Sequence, residues 1–198
     1  MEPLRVLVVD DDYAVLELFV AYLRGRGLDV RGAEGVEAAR EVLESGVDVL
    51  VTELALSDGD GVELLREARL RGVASLVATA PGASEDVVQA FAEGAGDVLL
   101  KPFRLRTLHD AVKAARARTD SRRAAARDRA TRAWLERAVT VDDAAAVDAL
   151  GRMLVAMARE HFGVTLHLEG AAVGGLEGHE VLRPYARAWA QVCARVGR

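Results

Sequence analysis

The sequence predicts an α/β fold in which a doubly wound, five-stranded parallel sheet is followed by a small, mainly helical C-terminal unit. Three observations predict this fold. Five short apolar runs alternate with segments whose apolar residues recur every three or four positions. The runs are almost continuously apolar, which is typical of parallel strands covered on both faces. Glycines stand where most of the helical segments end, a position at which helices favour glycine.

The apolar runs give the positions of the strands, and the spacing of three or four residues gives the positions of the helices between them. The strands are expected at about 4–9, 28–31, 47–52, 75–79 and 97–100. A helical pattern of apolar residues follows each strand, beginning in turn at Val15, Val36, Val62, Val87 and Leu105. Parallel strands joined by helices require right-handed crossovers, which cover both faces of a single sheet.

The fifth helix is expected to continue beyond the sheet. Residues 104–138 contain neither proline nor glycine and are rich in alanine and arginine, which favour helices. The chain would then divide into an α/β domain at 1–117, a basic helical linker at 118–138 and an output or dimerisation unit at 139–198.

The C-terminal unit has patterns for two helices and one strand. Residues 140–143 offer a helix start with acids in its first turn, and an apolar stripe then runs to Gly163. The stripe consists of Val147, Leu150, Leu154, Met157 and His161. Alternating apolar residues over 164–168 predict a strand, residues 170–178 a glycine-rich loop, and a final helix is expected from about Glu180.

Composition and charge restrict the class of protein. A hydrophobic content of 51% and a net charge of −5 indicate a folded chain. Residues 1–102 have a net charge of −11, residues 103–140 of +7 and residues 141–198 of −1, so a basic connector follows an acidic domain. Cys193 is the only cysteine, which excludes an intramolecular disulfide and a cysteine-rich zinc site. No apolar run reaches the roughly 18 residues that cross a bilayer, so we expect a cytoplasmic protein without a membrane partner.

Polar residues follow the apolar runs at the carboxyl ends of the predicted strands. They are Asp10 and Asp11 after the first strand, Glu53 after the third, Thr79 after the fourth, and Lys101 after the fifth. In open parallel sheets, ligands bind beyond the carboxyl ends of the strands, where the strand order reverses. We therefore expect these side chains to form one site.

This set resembles the site of the receiver domain of bacterial response regulators, a CheY-like domain with a flavodoxin-like sheet. The resemblance implies that Asp10 and Asp11 are the acids on the metal side and that the Ala55 carbonyl is a backbone ligand. Mg²⁺, which prefers oxygen ligands, would be the metal. Lys101 would pair with the carboxylate at the acceptor position or with a phosphoryl oxygen, and the Thr79 hydroxyl would contact the phosphoryl group. Glu53 stands where that family has the aspartate that accepts phosphate.

Three residues depart from the pattern of that family. Glu53 replaces the acceptor aspartate, and the Asp60-Gly61 pair, which stands where the family has one, fixes this alignment. Ser57 replaces the usual proline, and Val98 replaces the aromatic switch residue three positions before the lysine. Glutamate is one methylene longer than aspartate, and phosphoryl transfer depends on positioning. We therefore expect that Glu53 is not phosphorylated and either imitates the phosphorylated state or simply fills the site.

The sequence thus predicts an atypical response regulator that signals through protein contacts without enzymatic turnover. Its expected partners are signalling proteins, among them a histidine kinase, and a second copy of itself. One alternative is a DNA-binding regulator in which Arg122, Arg123 and Arg127 contact phosphates, although no aromatic residue interleaves them and a solvated signalling helix is favoured. The other is a histidine phosphotransfer-like protein that uses His109 or His161, each of which is better explained by packing or surface exposure.

Overall fold

The computed structural model describes residues 3–81, 84–141 and 143–197, without the side chains of residues 84–86. The chain divides into two units, Met1–Asp120 and Ser121–Arg198. The strands of the first unit are β1 (Arg5–Val9), β2 (Asp29–Ala33), β3 (Val49–Thr52), β4 (Ala55–Leu56), β5 (Gly59–Asp60), β6 (Ala74–Thr79) and β7 (Val98–Leu100). Its helices are α1 (Tyr13–Arg24), α2 (Val36–Glu44), α3 (Gly61–Leu70), α4 (Ser84–Ala92) and the first part of α5 (Leu105–Thr140).

Five of these strands form one parallel sheet in the order β2-β1-β3-β6-β7, which confirms the predicted doubly wound fold. The chain first adds β2 on one side of β1 and then crosses back to add β3 on the other side. The strand order therefore reverses between β1 and β3, and their carboxyl ends border the crevice in which such sheets bind ligands. Asp10 follows β1 directly, and Glu53 follows β3.

The two faces of the sheet bury two separate apolar clusters. Along β1, Val6 and Val8 point to the face covered by α1 and α5, whereas Leu7 and Val9 point to the face covered by α2 and α3. This alternation follows from the period of two in a strand. Because both faces are covered, the strands need apolar residues at every position, which is why the sequence runs are continuous.

An ion-pair network joins α5 to the amino end of β3. Asp48 Oδ1 lies 2.9 Å from Arg116 Nη1, and Asp48 Oδ2 accepts a hydrogen bond of 3.0 Å from the Arg5 backbone N–H. Burial alone would raise the pKa of Asp48, but these hydrogen bonds and charges outweigh it and lower the pKa from 3.8. The first part of α5 is thereby bound to the amino end of β3, and Glu53 follows the carboxyl end of the same strand.

The second unit begins within α5, which continues as one helix through the arginine-rich segment. It is followed by α6 (Ala144–Phe162), β8 (His167–Glu169), β9 (Ala172–Gly174), a 3₁₀ turn (Glu180–Leu182) and α7 (Arg183–Arg195). Asp143 caps α6 by accepting the Ala146 N–H at 2.8 Å, so the acids expected in the first turn are not there: Asp143 precedes the helix, and Asp142 lies outside the described residues. Gly163 ends the helix in a left-handed conformation, at the position where the apolar stripe was expected to end. The core of this unit contains Trp134, Leu150, Leu154, Leu182 and Trp189.

The hairpin of the second unit was also predicted wrongly. The strand expected at 164–168 lies at His167–Glu169, and it pairs in antiparallel fashion with β9, inside the segment 170–178 that was expected to be a loop. Gly170 begins the turn between the two strands with a φ of 58°, a backbone conformation that favours glycine. The glycines that suggested a loop therefore include the turn of a short hairpin.

Candidate functional site

Lys101 is the central residue of the site at the carboxyl ends of the strands. Its Nζ lies 2.6 Å from Asp10 Oδ2 and 2.9 Å from Glu53 Oε2. Its backbone N–H donates to the Thr79 carbonyl at 2.8 Å. One residue thus connects the ends of β1, β3 and β6, and it brings together the side chains of Asp10 and Glu53, whereas Thr79 takes part only through its backbone carbonyl.

The three charged side chains of this bridge are shielded from water. The side chain of Asp10 is 3% exposed, that of Glu53 9% and that of Lys101 22%. Ionised carboxylates are strongly disfavoured in such an environment unless a positive charge lies close by. The Lys101 ammonium supplies that charge to both carboxylates at once.

The carboxylate of Glu53 is held at both oxygens. While Oε2 contacts Lys101, Oε1 accepts the Leu54 backbone N–H at 2.8 Å. The Glu53 backbone is fixed as well, because its N–H donates to the Val9 carbonyl at 3.0 Å and its carbonyl accepts the Thr52 hydroxyl at 2.7 Å. The side chain therefore has one defined position in the site.

The loop after β3 crosses close over the Glu53 backbone, and this crossing requires glycine at position 61. The Gly61 N–H donates to the Leu54 carbonyl at 2.8 Å. A Cβ atom on Gly61 would overlap the carbonyl oxygen of Glu53 and would lie 3.0 Å from Thr52 Oγ1. Asp60 caps α3 by accepting the Val62 N–H at 2.8 Å, so the Asp60-Gly61 pair begins this helix.

The other predicted site residues take distinct places. Asp11 is exposed, and its Oδ2 accepts the Ser57 backbone N–H at 3.0 Å. Ala55 is exposed at the start of β4, whereas the hydroxyl-bearing Thr79 is buried at the end of β6. Val98 packs against the apolar cluster that contains α2 and α3. The position that in the family carries an aromatic switch residue is thus occupied here by a small side chain of the core.

Two contacts at the edge of the site have no signal in the sequence. Ser57 meets Asp11 across 46 positions of sequence. Asp58 caps α2, accepting the Val36 N–H at 2.9 Å and the Glu37 N–H at 3.3 Å, and these hydrogen bonds lower its pKa. A Cβ on Gly35 would overlap the Asp58 carboxylate, so a glycine before α2 could have suggested a close approach but not its partner.

Asp12 is the N-terminal cap of α1. Its Oδ1 accepts the backbone N–H groups of Ala14 at 2.9 Å and Val15 at 3.2 Å at the start of α1. Its own N–H donates to Asp10 Oδ1 at 3.1 Å. The cap therefore helps to hold Asp10 in the orientation in which its other oxygen contacts Lys101.

The acids that could hold a magnesium ion, Asp10, Asp11 and Glu53, are each engaged by a group of the protein itself. Asp10 and Glu53 converge on Lys101 Nζ, and Asp11 is engaged by the backbone of Ser57. Over residues 3–81, 84–141 and 143–197, no three or more His, Cys, Asp or Glu side chains are grouped so that they could hold a metal. The positive charge that the two buried acids need already comes from the Lys101 ammonium.

The burial and the charges of the bridge shift two pKa values. Burial is the largest influence on Asp10 and raises its pKa above 3.8, although the hydrogen bond from Lys101 opposes this. Burial would lower the pKa of Lys101, but hydrogen bonds and charges from Asp10 and Glu53 outweigh it and raise the pKa above 10.5. Each group therefore binds a proton more readily in the folded protein than in the unfolded chain.

We expect the bridge to lose its stabilising effect in alkaline solution. A lysine whose pKa is raised by folding contributes stability that is complete below 10.5 and is lost as the pH rises through the folded value. Urea denaturation between about pH 9 and about pH 12 should therefore show a steeper fall in unfolding free energy for the wild type than for Lys101→Met. Equal slopes for the two proteins would contradict the assignment.

The arginines proposed for nucleic-acid contacts belong to the second unit. Arg122, Arg123 and Arg127 are exposed on α5. The guanidinium of Arg127 lies 5.4 Å from the ring centroid of Phe162, a cation–π contact. Among the described residues, no helix is long and apolar enough to span a membrane.

Comparison with known proteins agrees with this fold and site. Residues 6–113 match the model of the response regulator receiver domain family. The chain is 35% identical over 118 residues to the DNA-binding response regulator MtrA of Mycobacterium tuberculosis. The aligned residues make up 59% of this chain and 52% of MtrA. The chain is also 40% identical over 109 residues to the transcriptional regulatory protein TrcR of the same species, and these residues make up 54% of this chain and 42% of TrcR. The chain thus spans about half the length of these curated relatives.

Solved structures give the same result. A CheY-like receiver domain protein from Methanospirillum hungatei superposes with a TM-score of 0.58 and 26% identity, covering 61% of this chain and 99% of that structure. A receiver protein from Pseudomonas putida superposes with a TM-score of 0.54 and 31% identity, covering 57% of this chain and 98% of that structure. The family match includes more than half of the chain and all four strand ends that form the site. The chain belongs to the response regulator receiver domain family.

Proposed function

We propose that this chain is an atypical response regulator whose receiver unit (Met1–Asp120) signals through protein contacts without phosphorylation at Glu53. The observation that carries the proposal is the position of the Glu53 carboxylate, which bridges to Lys101 through one oxygen and to the Leu54 N–H through the other. The residue at the acceptor position is thereby an internal ligand of the phosphate-binding lysine.

The chemistry of phosphoryl transfer supports this view. Transfer requires an attacking oxygen in line with the leaving group, and an error of about 1 Å in position can lower the rate roughly a hundredfold. Glutamate places its carboxylate one methylene farther from the backbone than the aspartate of the family. We infer that Glu53 keeps a negative charge beside Lys101 permanently, so that the unit holds one signalling state.

Labelling with acetyl phosphate tests the first part of the proposal. We expect no phosphate to be incorporated by the wild type and measurable incorporation by Glu53→Asp, because the shorter side chain restores the acceptor position. Glu53→Ala is the control for phosphate attached elsewhere. Label on the wild type that disappears in Glu53→Ala would overturn the proposal.

The second part of the proposal is that the receiver unit holds one signalling state, and we also propose that the chain forms a homodimer. The mass of the protein in solution tests both. Light scattering should give the same mass for the wild type with and without beryllofluoride, whereas Glu53→Asp should respond to it. One of the similar structures is described as a beryllofluoride-activated NtrC4 receiver domain dimer, so the reagent is suited to this fold. A change of mass in the wild type would show that Glu53 does not fix the state.

Magnesium at Asp10, Asp11 and the Ala55 carbonyl is a weaker part of the proposal. Because the Lys101 ammonium already lies between the buried carboxylates, we expect Mg²⁺ to bind the wild type only at millimolar concentrations or above. Isothermal titration of the wild type and Lys101→Met with MgCl₂ measures this affinity. Micromolar binding by the wild type would mean that the metal displaces the lysine without difficulty.

DNA binding is the second candidate function, because the relative MtrA is a DNA-binding response regulator and TrcR is a transcriptional regulatory protein. In this chain the candidate surface for phosphate contacts is the exposed arginine stretch of α5, with Arg122, Arg123 and Arg127. Gel shifts at two salt concentrations distinguish the cases. Binding that is equal for all sequences and falls steeply with salt indicates only nonspecific contacts, whereas preference for one sequence supports a DNA-binding regulator.

A histidine kinase is the proposed upstream partner, and no enzymatic turnover is proposed for the chain itself. The histidine phosphotransfer alternative has less support. The side chain of His109 is 14% exposed, and its Nδ1 lies 3.4 Å from Asp110 Oδ1. His161 is half-buried in the last turn of α6. Acid-labile phosphate on either residue would support that alternative.

A further inference from the structure

A groove runs along the outward side of α6 in the second unit. Its volume is about 560 Å³. One wall is a face of α6 from Gly151 to Arg159, and the other wall contains Leu168 of β8 and Trp189 of α7. This volume falls within the range of roughly 300–1,000 Å³ that is usual for small-molecule sites. The receiver function proposed above makes no use of it.

The shape of the groove depends on Gly151. A Cβ on this residue would lie 2.8 Å from Cη2 of Trp189 and 3.0 Å from Cδ1 of Leu168. Glycine therefore allows the indole ring to pack directly against the backbone of α6. The ring is fixed in its plane because Nε1–H donates to the Gly170 carbonyl at 2.9 Å. The wall of the groove that contains Leu168 and Trp189 is thus an apolar surface with a defined position.

Two arginines stand at the ends of this apolar surface. Arg152 and Arg159 are exposed and lie seven residues apart, which is about 10 Å along a helix. Val155 lies between them. No hydrogen bond or ion pair engages either guanidinium within the part of the chain that the structure describes. Asp148 also borders the groove, but it has an interaction of its own, so the lining carries an excess of positive charge.

We propose that this groove binds a small organic anion with an apolar body. Arg152 and Arg159 would contact the anionic group, because guanidinium groups are weakly hydrated and offer planar pairs of donors to carboxylate, phosphate or sulfonate. Val155, Leu168 and Trp189 would contact the apolar body. Such a site would give the second unit an input of its own, independent of the state of the receiver unit.

The fluorescent anion anilinonaphthalene sulfonate is a suitable probe, with the uncharged N-phenylnaphthylamine as its matched neutral partner. The full chain should bind the anion saturably at one site, and the neutral probe at least tenfold more weakly. Arg152→Gln and Arg159→Gln should each weaken binding of the anion about tenfold. Arg26→Gln, which removes an exposed arginine outside the groove, should leave the affinity unchanged.

A second pair of variants tests the groove by shape. Ala156→Leu places a larger side chain on the exposed lining of α6, whereas Ala149→Leu does so at an exposed position of the same helix outside the groove. The first should weaken binding at least tenfold, and the second should not. Circular dichroism confirms that each variant is folded. Equal affinity for both probes, or an affinity for the anion that none of the groove variants changes, would overturn the proposal.

Discussion

Replacing Gly61 with alanine is expected to destabilise the receiver unit by about 3 kcal/mol, the range in which overpacking of a tight site falls. The new Cβ would overlap the carbonyl oxygen of Glu53, and neither atom can move without shifting backbone. The two ends of the clash are further fixed by hydrogen bonds, from the Gly61 N–H to the Leu54 carbonyl and from the Thr52 hydroxyl to the Glu53 carbonyl. The strain would therefore displace the segment that carries the Glu53 side chain.

Gly25→Ala is the matched control for this substitution. Gly25 ends α1 with a φ of −62°, and a Cβ there would meet only the Ala21 and Tyr22 carbonyl oxygens at 3.4 Å. Its unfolding free energy should change by less than about 1 kcal/mol. Urea denaturation followed by far-ultraviolet circular dichroism measures both variants. An equal, small effect in the two would show that the loop after β3 adjusts freely.

The two tryptophans allow the unfolding of the second unit to be measured separately from that of the receiver unit. Trp134 and Trp189 both lie in the second unit, and the chain has no other tryptophan. Their fluorescence therefore follows unfolding of that unit, whereas circular dichroism follows both. For Gly61→Ala we expect an early loss of ellipticity, with the fluorescence transition close to that of the wild type. This result would place the damage in the receiver unit.

The sheet and the convergence of the site could be predicted because both follow from local patterns. Continuous apolar runs specify parallel strands, and the residue after each run must lie at one edge of the sheet. Asp10, Asp11, Glu53, Thr79 and Lys101 were placed together on this ground, and the resemblance implied that Lys101 pairs with the carboxylate at position 53. The second contact of Lys101 Nζ, with Asp10, could not be predicted, because the position of Nζ depends on side-chain conformations that no period encodes.

The contacts that were missed join residues distant in sequence and have no repeating pattern. The Ser57 N–H meets Asp11, and Asp58 caps α2, through turns in the loop after β3. The hairpin in the second unit was missed for a related reason. Strand β9 has only three residues, two of them small, so its apolar alternation is too short to distinguish from a glycine-rich loop.

Replacing Lys101 with methionine is expected to lower the unfolding free energy by about 3 kcal/mol, as when one partner of a buried ion pair is removed. Methionine keeps most of the side-chain volume but leaves Asp10 and Glu53 buried without a positive charge at Nζ. Both acids would then repel each other across the space that the ammonium occupies. Lys113→Met, at an exposed position of α5, is the control and should change stability by less than about 0.5 kcal/mol.

The dependence of this effect on pH distinguishes lost charge from lost packing. Without the lysine, the pKa of Asp10, already raised by burial, should rise further, because a neighbouring carboxylate disfavours its charged form. A carboxyl whose pKa is raised by folding favours the folded state as the pH falls. Lys101→Met should therefore regain stability relative to the wild type as the pH falls from neutral towards 3.8, the ordinary pKa of Asp10.

The double variant Lys101→Met, Glu53→Gln completes the argument. Removing the charge of Glu53 together with that of Lys101 leaves a single buried acid, so the double variant should be more stable than Lys101→Met alone. The two substitutions should couple by about 1–3 kcal/mol in a double-mutant cycle. Additive effects would mean that Lys101 and Glu53 act independently. In that case the glutamate would not be the internal ligand that fixes the state of the receiver unit.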